Sequence, residues 1–237
     1  MRAFIFDLGG TLVDYVGFSL NWASYYTAAF ERVKTQLELE LDGAAITNAI
    51  AGLTKYNARI YPREIEYSSE HIFAEATSNW NLGRHTHTDV AMAFYGFFQE
   101  KMEVFPDAVR LLRKLEPTRL KIGVLTDLAT GMPDEMAIRC VSALNSRIDS
   151  LLTSYGVGYR KPNPLGYRSL AAKLGVDAED CVYIGDEDKD IAGANSAGMV
   201  SVLIDRKKSQ SNYGQRYRVE SLDEIVVLFA DELLNLR

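Results

Sequence analysis

At 237 residues, with 47% hydrophobic and 24% charged residues, the chain can bury a large core and has the composition of a soluble globular protein. A formal charge of -6 argues against a nucleic-acid polymer as partner, yet leaves room for a small anion in a locally positive pocket. The two cysteines, Cys140 and Cys181, sit in separate apolar stretches without metal-like spacing and read as reduced core residues of a cytoplasmic protein.

The first predicted element is a short buried strand, Ala3-Phe4-Ile5-Phe6. Asp7 interrupts this apolar run too early for a signal peptide. No later window reaches the roughly 18 uninterrupted apolar residues that a membrane span needs. The strand runs into Asp7-Leu8-Gly9-Gly10-Thr11, a carboxylate entering a glycine turn. Glycines there let the backbone approach whatever the carboxylate faces. The plainer alternative is an Asp that caps a turn.

Residues 18–101 read as helix almost throughout. Phe18, Trp22, Tyr25, Tyr26, Ala29, Val33 and Leu37 recur at helical spacing, and further helices are expected over 42–56, near 67–79 and over 88–101. The aromatic stripe of the first of these helices reads as helical core, and His85 and His87 as solvated side chains of a turn. After Pro106 the pattern changes. A helix carrying Val109, Leu112 and Leu115 precedes a strand over 121–125, and a helix over 133–145 precedes a strand over 148–153. Helices over 164–174 and 188–197 precede strands over 181–184 and 200–204, and a helix over 222–235 closes the chain. This alternation predicts an α/β fold with a doubly wound parallel sheet. The expected organisation is a core of residues 1–14 and 105–237, interrupted by an inserted helical domain of residues 15–104.

Three of the predicted strands end in polar groups at one edge: Asp7, Thr126-Asp127, and Gly185-Asp186, with Asp190 one helical turn beyond. A loop after another strand carries Arg160-Lys161-Pro162. Such edges converge on the ligand crevice of open α/β sheets. Asp7, Asp186 and Asp190 would crowd there and, unpaired, would have to take up protons. A hard divalent cation resolves that conflict; Mg²⁺ suits one or two carboxylates together with a carbonyl, waters and a phosphate. Lys161 adds a fixed positive charge and Thr126 a hydroxyl for an anionic oxygen.

These four segments resemble the motifs of the haloacid dehalogenase superfamily, whose hydrolases carry a Rossmann-like core and, in many members, an inserted helical cap. The first motif, Asp-x-Asp-x-Thr or Val, is matched by Asp7 to Thr11 except at its third position. Thr126 matches the Ser or Thr that closes a strand, Lys161-Pro162 the Lys before Pro, and Gly185, Asp186 and Asp190 the Gly-Asp-x-x-x-Asp motif. The resemblance implies an Mg²⁺-dependent phosphohydrolase acting on a small phosphorylated metabolite. Asp7 would be the nucleophile that forms an aspartyl-phosphate. Thr126 and Lys161 would bind the phosphoryl group. Asp7, the Gly9 carbonyl, Asp186 and Asp190 would make the metal site, Asp190 directly or through water. Asp127 would join the phosphate-binding set through its backbone, because a further negative charge beside a phosphate is unhelpful.

Gly9 stands where the family's phosphatases carry a second Asp as general acid and base. Such help is typically worth ~10² to 10⁴ in rate. Three outcomes follow: a phosphohydrolase that relies on good leaving groups or another proton source; a phosphonate or haloacid hydrolase on the same core, with Lys55 as a possible Schiff-base lysine; or a non-catalytic protein that binds a phosphorylated ligand or a partner. Neither substrate identity nor oligomeric state can be read from these residues.

Overall fold

The computed structural model describes residues 1–234; residues 235–237, including the last position of the expected final helix, lie outside the described residues. The strands and helices, in chain order, are β1 (Ala3–Phe6), β2 (Val13–Tyr15), α1 (Tyr26–Gln36), α2 (Gly43–Thr54), α3 (Ser69–Ala76), α4 (His87–Gln99), β3 (Met102–Val104), α5 (Pro106–Leu115), β4 (Lys121–Thr126), α6 (Asp134–Ala143), β5 (Ser150–Thr153), α7 (Ser154–Val157), α8 (Pro164–Leu174), β6 (Cys181–Gly185), α9 (Asp188–Ala197), β7 (Val200–Ile204), β8 (Tyr217–Val219), α10 (Asp223–Leu228) and α11 (Ala230–Leu234).

The chain divides into two compact units. One comprises Met1–Asp14, Glu103–Asp127 and Ile138–Arg237; the other comprises Tyr15–Met102 and Leu128–Ala137. Residues 128–137, expected in the core, group with the helices: Tyr95 Oη donates to the carbonyl of Thr130, and Gly131 packs on Ile72 and Phe73.

In the first unit a parallel sheet runs in the order β5-β4-β1-β6-β7-β8. Its inner strands are buried along nearly their whole length, which explains their unbroken apolar runs. β1 lies between β4 and β6, with Phe6 paired to Val124 on one side and Ile184 on the other. This register brings the chain that follows β1 level with the ends of both neighbours. The expected helix over 222–235 is two short helices separated at Phe229, which leaves helical geometry at φ -116°. The edge strand β8, three residues long, was not anticipated; it is too short to show a period of two.

The second unit is built on α1 to α4. Asp42 and Ser68 cap α2 and α3 by accepting from the backbone N–H groups of Ala45 and His71. Thr86 and Asp89 form a reciprocal capping box on α4. Its core is aromatic: Phe30 and Phe73 pack on Phe94 with ring centroids 4.7 and 5.5 Å apart. The helix expected to begin at residue 18 starts only at Tyr26. Asn21 accepts from Ala23 N–H and diverts the backbone into a single tight turn over Trp22–Tyr25. Phe18 and Trp22 nevertheless reach Phe98, at 4.9 and 4.2 Å, so their helical spacing reports shared burial rather than a continuous helix.

Candidate active site

Every residue of the proposed cluster lies in the sheet unit. Asp7 follows β1 directly, and its backbone N–H donates to the Ile184 carbonyl, which fixes it beside β6. Asp186 leaves β6 one residue after its end, and Asp190 lies in the first turn of α9. The carboxylates of Asp7, Asp186 and Asp190 each offer an oxygen within 4.8 Å of the others. Two glycines make this convergence possible. Gly10 has φ +80°, and a Cβ there would overlap the Asp186 carboxylate; a Cβ at Gly185 would overlap that of Asp190.

Lys161 enters the cluster from the loop between α7 and α8. Its Nζ lies 2.5 Å from Asp7 Oδ1 and 2.7 Å from Asp190 Oδ1, with all three side chains buried. Burial works against the ammonium, but the Asp190 and Asp7 charges hold its pKa well above the usual lysine range. Asp190 is engaged through both oxygens. Its Oδ1 also accepts from Tyr183 Oη at 3.1 Å, and its Oδ2 accepts from Glu187 N–H at 3.0 Å.

Asp186 stands in contrast. Its Oδ1 is buried and has no hydrogen-bond partner among the described residues. Burial, then the charges of Asp7 and Asp190, push its pKa up to about 8, and burial pushes Asp7 up to about 6 against the pull of Lys161. A buried carboxylate oxygen with no partner among the described residues, beside a second carboxylate, fits a hard divalent cation.

Asp127 closes the other flank with its side chain turned into a basic cluster. Oδ1 accepts from the Lys161 backbone N–H at 3.0 Å, and Oδ2 lies 3.1 Å from Lys189 Nζ and 3.7 Å from Arg160. Against the cost of burial, the charges of Lys189, Arg160 and Lys161 hold its carboxyl below the ordinary range. Thr126 ends β4 at the same edge, its hydroxyl making a long 3.4 Å bond to the Asp127 carbonyl.

Tyr183 and Lys189 were not anticipated. Tyr183 bridges Asp190 and the Leu125 carbonyl. A tyrosine inside an otherwise apolar buried strand is itself the signal, since its hydroxyl needs a partner. Lys189 lies in a polar run where nothing in the pattern distinguishes it from a solvated side chain.

Gly9 faces open space: beyond its chain neighbours, a Cβ there would meet no atom of the described residues within 4 Å. In the helical unit, Lys55 is a solvated side chain, 67% exposed and 3.2 Å from Glu75. Among the described residues His85 and His87 join no metal-binding cluster. No helix of the described residues is long and apolar enough to cross a membrane.

The profile of the haloacid dehalogenase-like hydrolases matches residues 1–198. The chain is 28% identical over 214 residues to a glyceraldehyde 3-phosphate phosphatase of Methanopyrus kandleri, covering 89% of this chain and 86% of that one. It is 29% identical over 208 residues to a phosphatase of Mycobacterium tuberculosis, covering 87% and 88%. Its fold superposes on a phosphatase of the same superfamily from Thermococcus onnurineus with a TM-score of 0.65, at 20% identity and over 97% and 98% of the two chains. The chain therefore belongs to the haloacid dehalogenase-like hydrolases and is an enzyme of that family, with named phosphatases among its relatives.

Proposed function

We propose that this enzyme hydrolyses small phosphorylated metabolites with the help of a divalent cation, Mg²⁺ by the chemistry of its oxygen donors. The observation that carries this reading is the buried, partnerless Oδ1 of Asp186 beside the Lys161-paired carboxylate of Asp7. Asp7, Asp186 and the Gly9 carbonyl would hold the cation. Asp190, whose oxygens already serve Lys161, Tyr183 and the start of α9, would act by holding Lys161 in place. The bound ion would supply the positive charge that lets a phosphoryl group enter a site rich in carboxylates. Thr126, Lys161 and the backbone at Asp127 would bind phosphoryl oxygens. The helical unit is assigned as the cap, and the two free, buried cysteines favour a reducing, cytoplasmic setting.

In the first half-reaction a carboxylate oxygen of Asp7 attacks phosphorus, the ester P–O bond breaks, and the leaving alkoxide takes a proton from solvent or substrate. Water then attacks the phosphorus of the aspartyl-phosphate, releasing inorganic phosphate and restoring the carboxylate. Lys161 orients Asp7 through Oδ1 and balances charge throughout. Gly9 contributes no acid, so the leaving group carries more of the barrier than in relatives with a second Asp.

A panel of phosphorylated metabolites, headed by the glyceraldehyde 3-phosphate of the Methanopyrus relative's name, tests the reading with Mg²⁺ and with chelator. Phosphate release that requires Mg²⁺ and vanishes in Asp7→Asn is the expected result. A 2-haloacid or phosphonoacetaldehyde turned over in its place would move the chemistry to another branch. Silence across the panel, with phosphate and Mg²⁺ still bound, would make this a binding protein.

A further inference from the structure

The turn that carries Gly9 is gripped from the β7 flank of β1, whereas Lys161 enters from the β5 flank. Arg206 follows the end of β7, two strands away from β1. Its Nε donates to the Gly10 carbonyl at 3.2 Å and its Nη2 to the Thr11 carbonyl at 2.7 Å. The other side of the guanidinium is fixed by Asp107, whose Oδ2 and Oδ1 accept at 2.8 and 3.1 Å. The Phe105 ring lies beneath it, 3.7 Å from Cζ to centroid. Asp107 is itself anchored, accepting from Ser221 Oγ at 3.0 Å and Leu222 N–H at 2.9 Å. Only a planar fork with several donors can meet two carbonyls and a carboxylate at once.

The turn needs such a hold. Its internal bonds, Gly10 N–H to Val13 O, Leu12 N–H to Leu8 O and Val13 N–H to Leu8 O, do not use the Gly10 and Thr11 carbonyls, which Arg206 takes up. Gly10 sits at φ +80° against Asp186, so a small drift of the turn changes both the Asp186 contact and the direction of the neighbouring Gly9 carbonyl.

We propose that Arg206 is a positioning residue that clamps the Gly9–Thr11 turn and so sets the geometry of the cation site, without touching the reacting atoms. Its link to the cation rests on the phosphohydrolase reading; the clamp itself does not. Asp107 and Phe105 hold the clamp, which ties α5 and the start of α10 to the turn after β1.

The test uses the full chain without metal, comparing the wild type with Arg206→Met, Arg206→Lys and Arg110→Gln. The last breaks the exposed Arg110–Asp223 pair on α5 and α10 and leaves Arg206 alone. Amide exchange at Gly10, Leu12 and Val13 should speed up by about tenfold or more in Arg206→Met, the scale of one lost charge-assisted hydrogen bond, while β1 and β4 stay protected. Arg206→Lys should loosen the turn less, and Arg110→Gln not at all. If Arg206→Met fails to fold, Arg206→Lys against the wild type carries the comparison. Mg²⁺ affinity by calorimetry should fall by about tenfold with the loosened turn. Wild-type exchange rates in the turn, or equal acceleration in β1 and β4, overturn the clamp. A loosened turn with unchanged Mg²⁺ affinity overturns its link to the cation. A wild-type protein that binds no Mg²⁺ fails the phosphohydrolase reading, while amide exchange still decides the clamp.

Discussion

Lys161 and Asp190 are bound partners in a buried site: Nζ lies 2.7 Å from Oδ1 of a carboxylate that is fully buried. The same ammonium reaches Asp7 at 2.5 Å. One cation therefore serves two carboxylates, so one negative charge of that pair and the charge of Asp186 are both left for something else to neutralise. Lys161→Met should remove that balance. Breaking a buried pair by deleting one partner typically costs about 3 to 5 kcal/mol. Denaturant unfolding of the metal-free variant should show a loss of this size, and phosphate release should be abolished. A variant as stable as the wild type would mean that the carboxylates are protonated or hydrated and Lys161 is not their main partner.

The leftover charge also sets a pH dependence. Asp7 is raised to about 6 and Asp186 to about 8 by burial and by neighbouring carboxylates, whereas unfolded carboxylates titrate near about 4. Between these limits the folded protein binds more protons than the unfolded chain, so its stability falls as pH rises from about 4 to about 8. Thermal melts of the metal-free protein should drop across this window and level off above it. Added Mg²⁺ should raise Tm more at pH 8 than at pH 5, because protons compete with the metal for Asp186. Asp186→Asn should flatten the profile and weaken the Mg²⁺ effect. A rise in metal-free stability through that window would contradict this account of the site.

Asp127 gives a third outcome. Asn could still accept from the Lys161 N–H, so Asp127→Asn preserves the backbone contact and removes only the charge facing Lys189 and Arg160. A buried Arg160 and a partly exposed Lys189 would then lie near one another with less compensation. The expected loss is about 2 to 4 kcal/mol of stability, toward the lower side of a broken buried pair because Glu187 still holds Lys189 at 3.0 Å. Phosphate affinity should change little if Asp127 contributes only its backbone. A large drop in phosphate binding with unchanged stability would place the carboxylate in the binding site itself.

The parts of this molecule that could be read in advance are those whose chemistry is local. Asp7 at a strand end, a glycine turn after it, and Lys161 before a proline each carry a recognisable constraint within a few residues. The inner strands were legible because burial on both faces forces continuous apolar runs. Arg206 was not, because its meaning depends on β7 lying two strands from β1 and on Asp107 reaching it from α5. Lys189 was hidden for the same reason: its partner Asp127 is 62 residues away. The aromatic spacing of residues 18–26 misled because rings on a turn and rings on a helix can fill one core.

Gly9 carries the last prediction. With no side chain at that position, and open space within 4 Å of where a Cβ would sit, the wild type should lack an acid there and depend steeply on leaving-group acidity. Aryl phosphates, acyl phosphates and sugar 1-phosphates should turn over much faster than simple alkyl phosphates. Gly9→Asp should find room for its first side-chain atom and supply the missing acid. Its gain should be largest for alkyl esters, up to the ~10² to 10⁴ typical of general acid catalysis, and small for aryl esters, whose departure needs no proton. Hydrolysis of the aspartyl-phosphate should also gain, since the same carboxylate can activate water. Single-turnover rates across an ester series separate these effects. Equal wild-type rates for aryl and alkyl esters, with phosphoryl transfer limiting, would mean that another group already donates the proton and that Gly9 is no deficit.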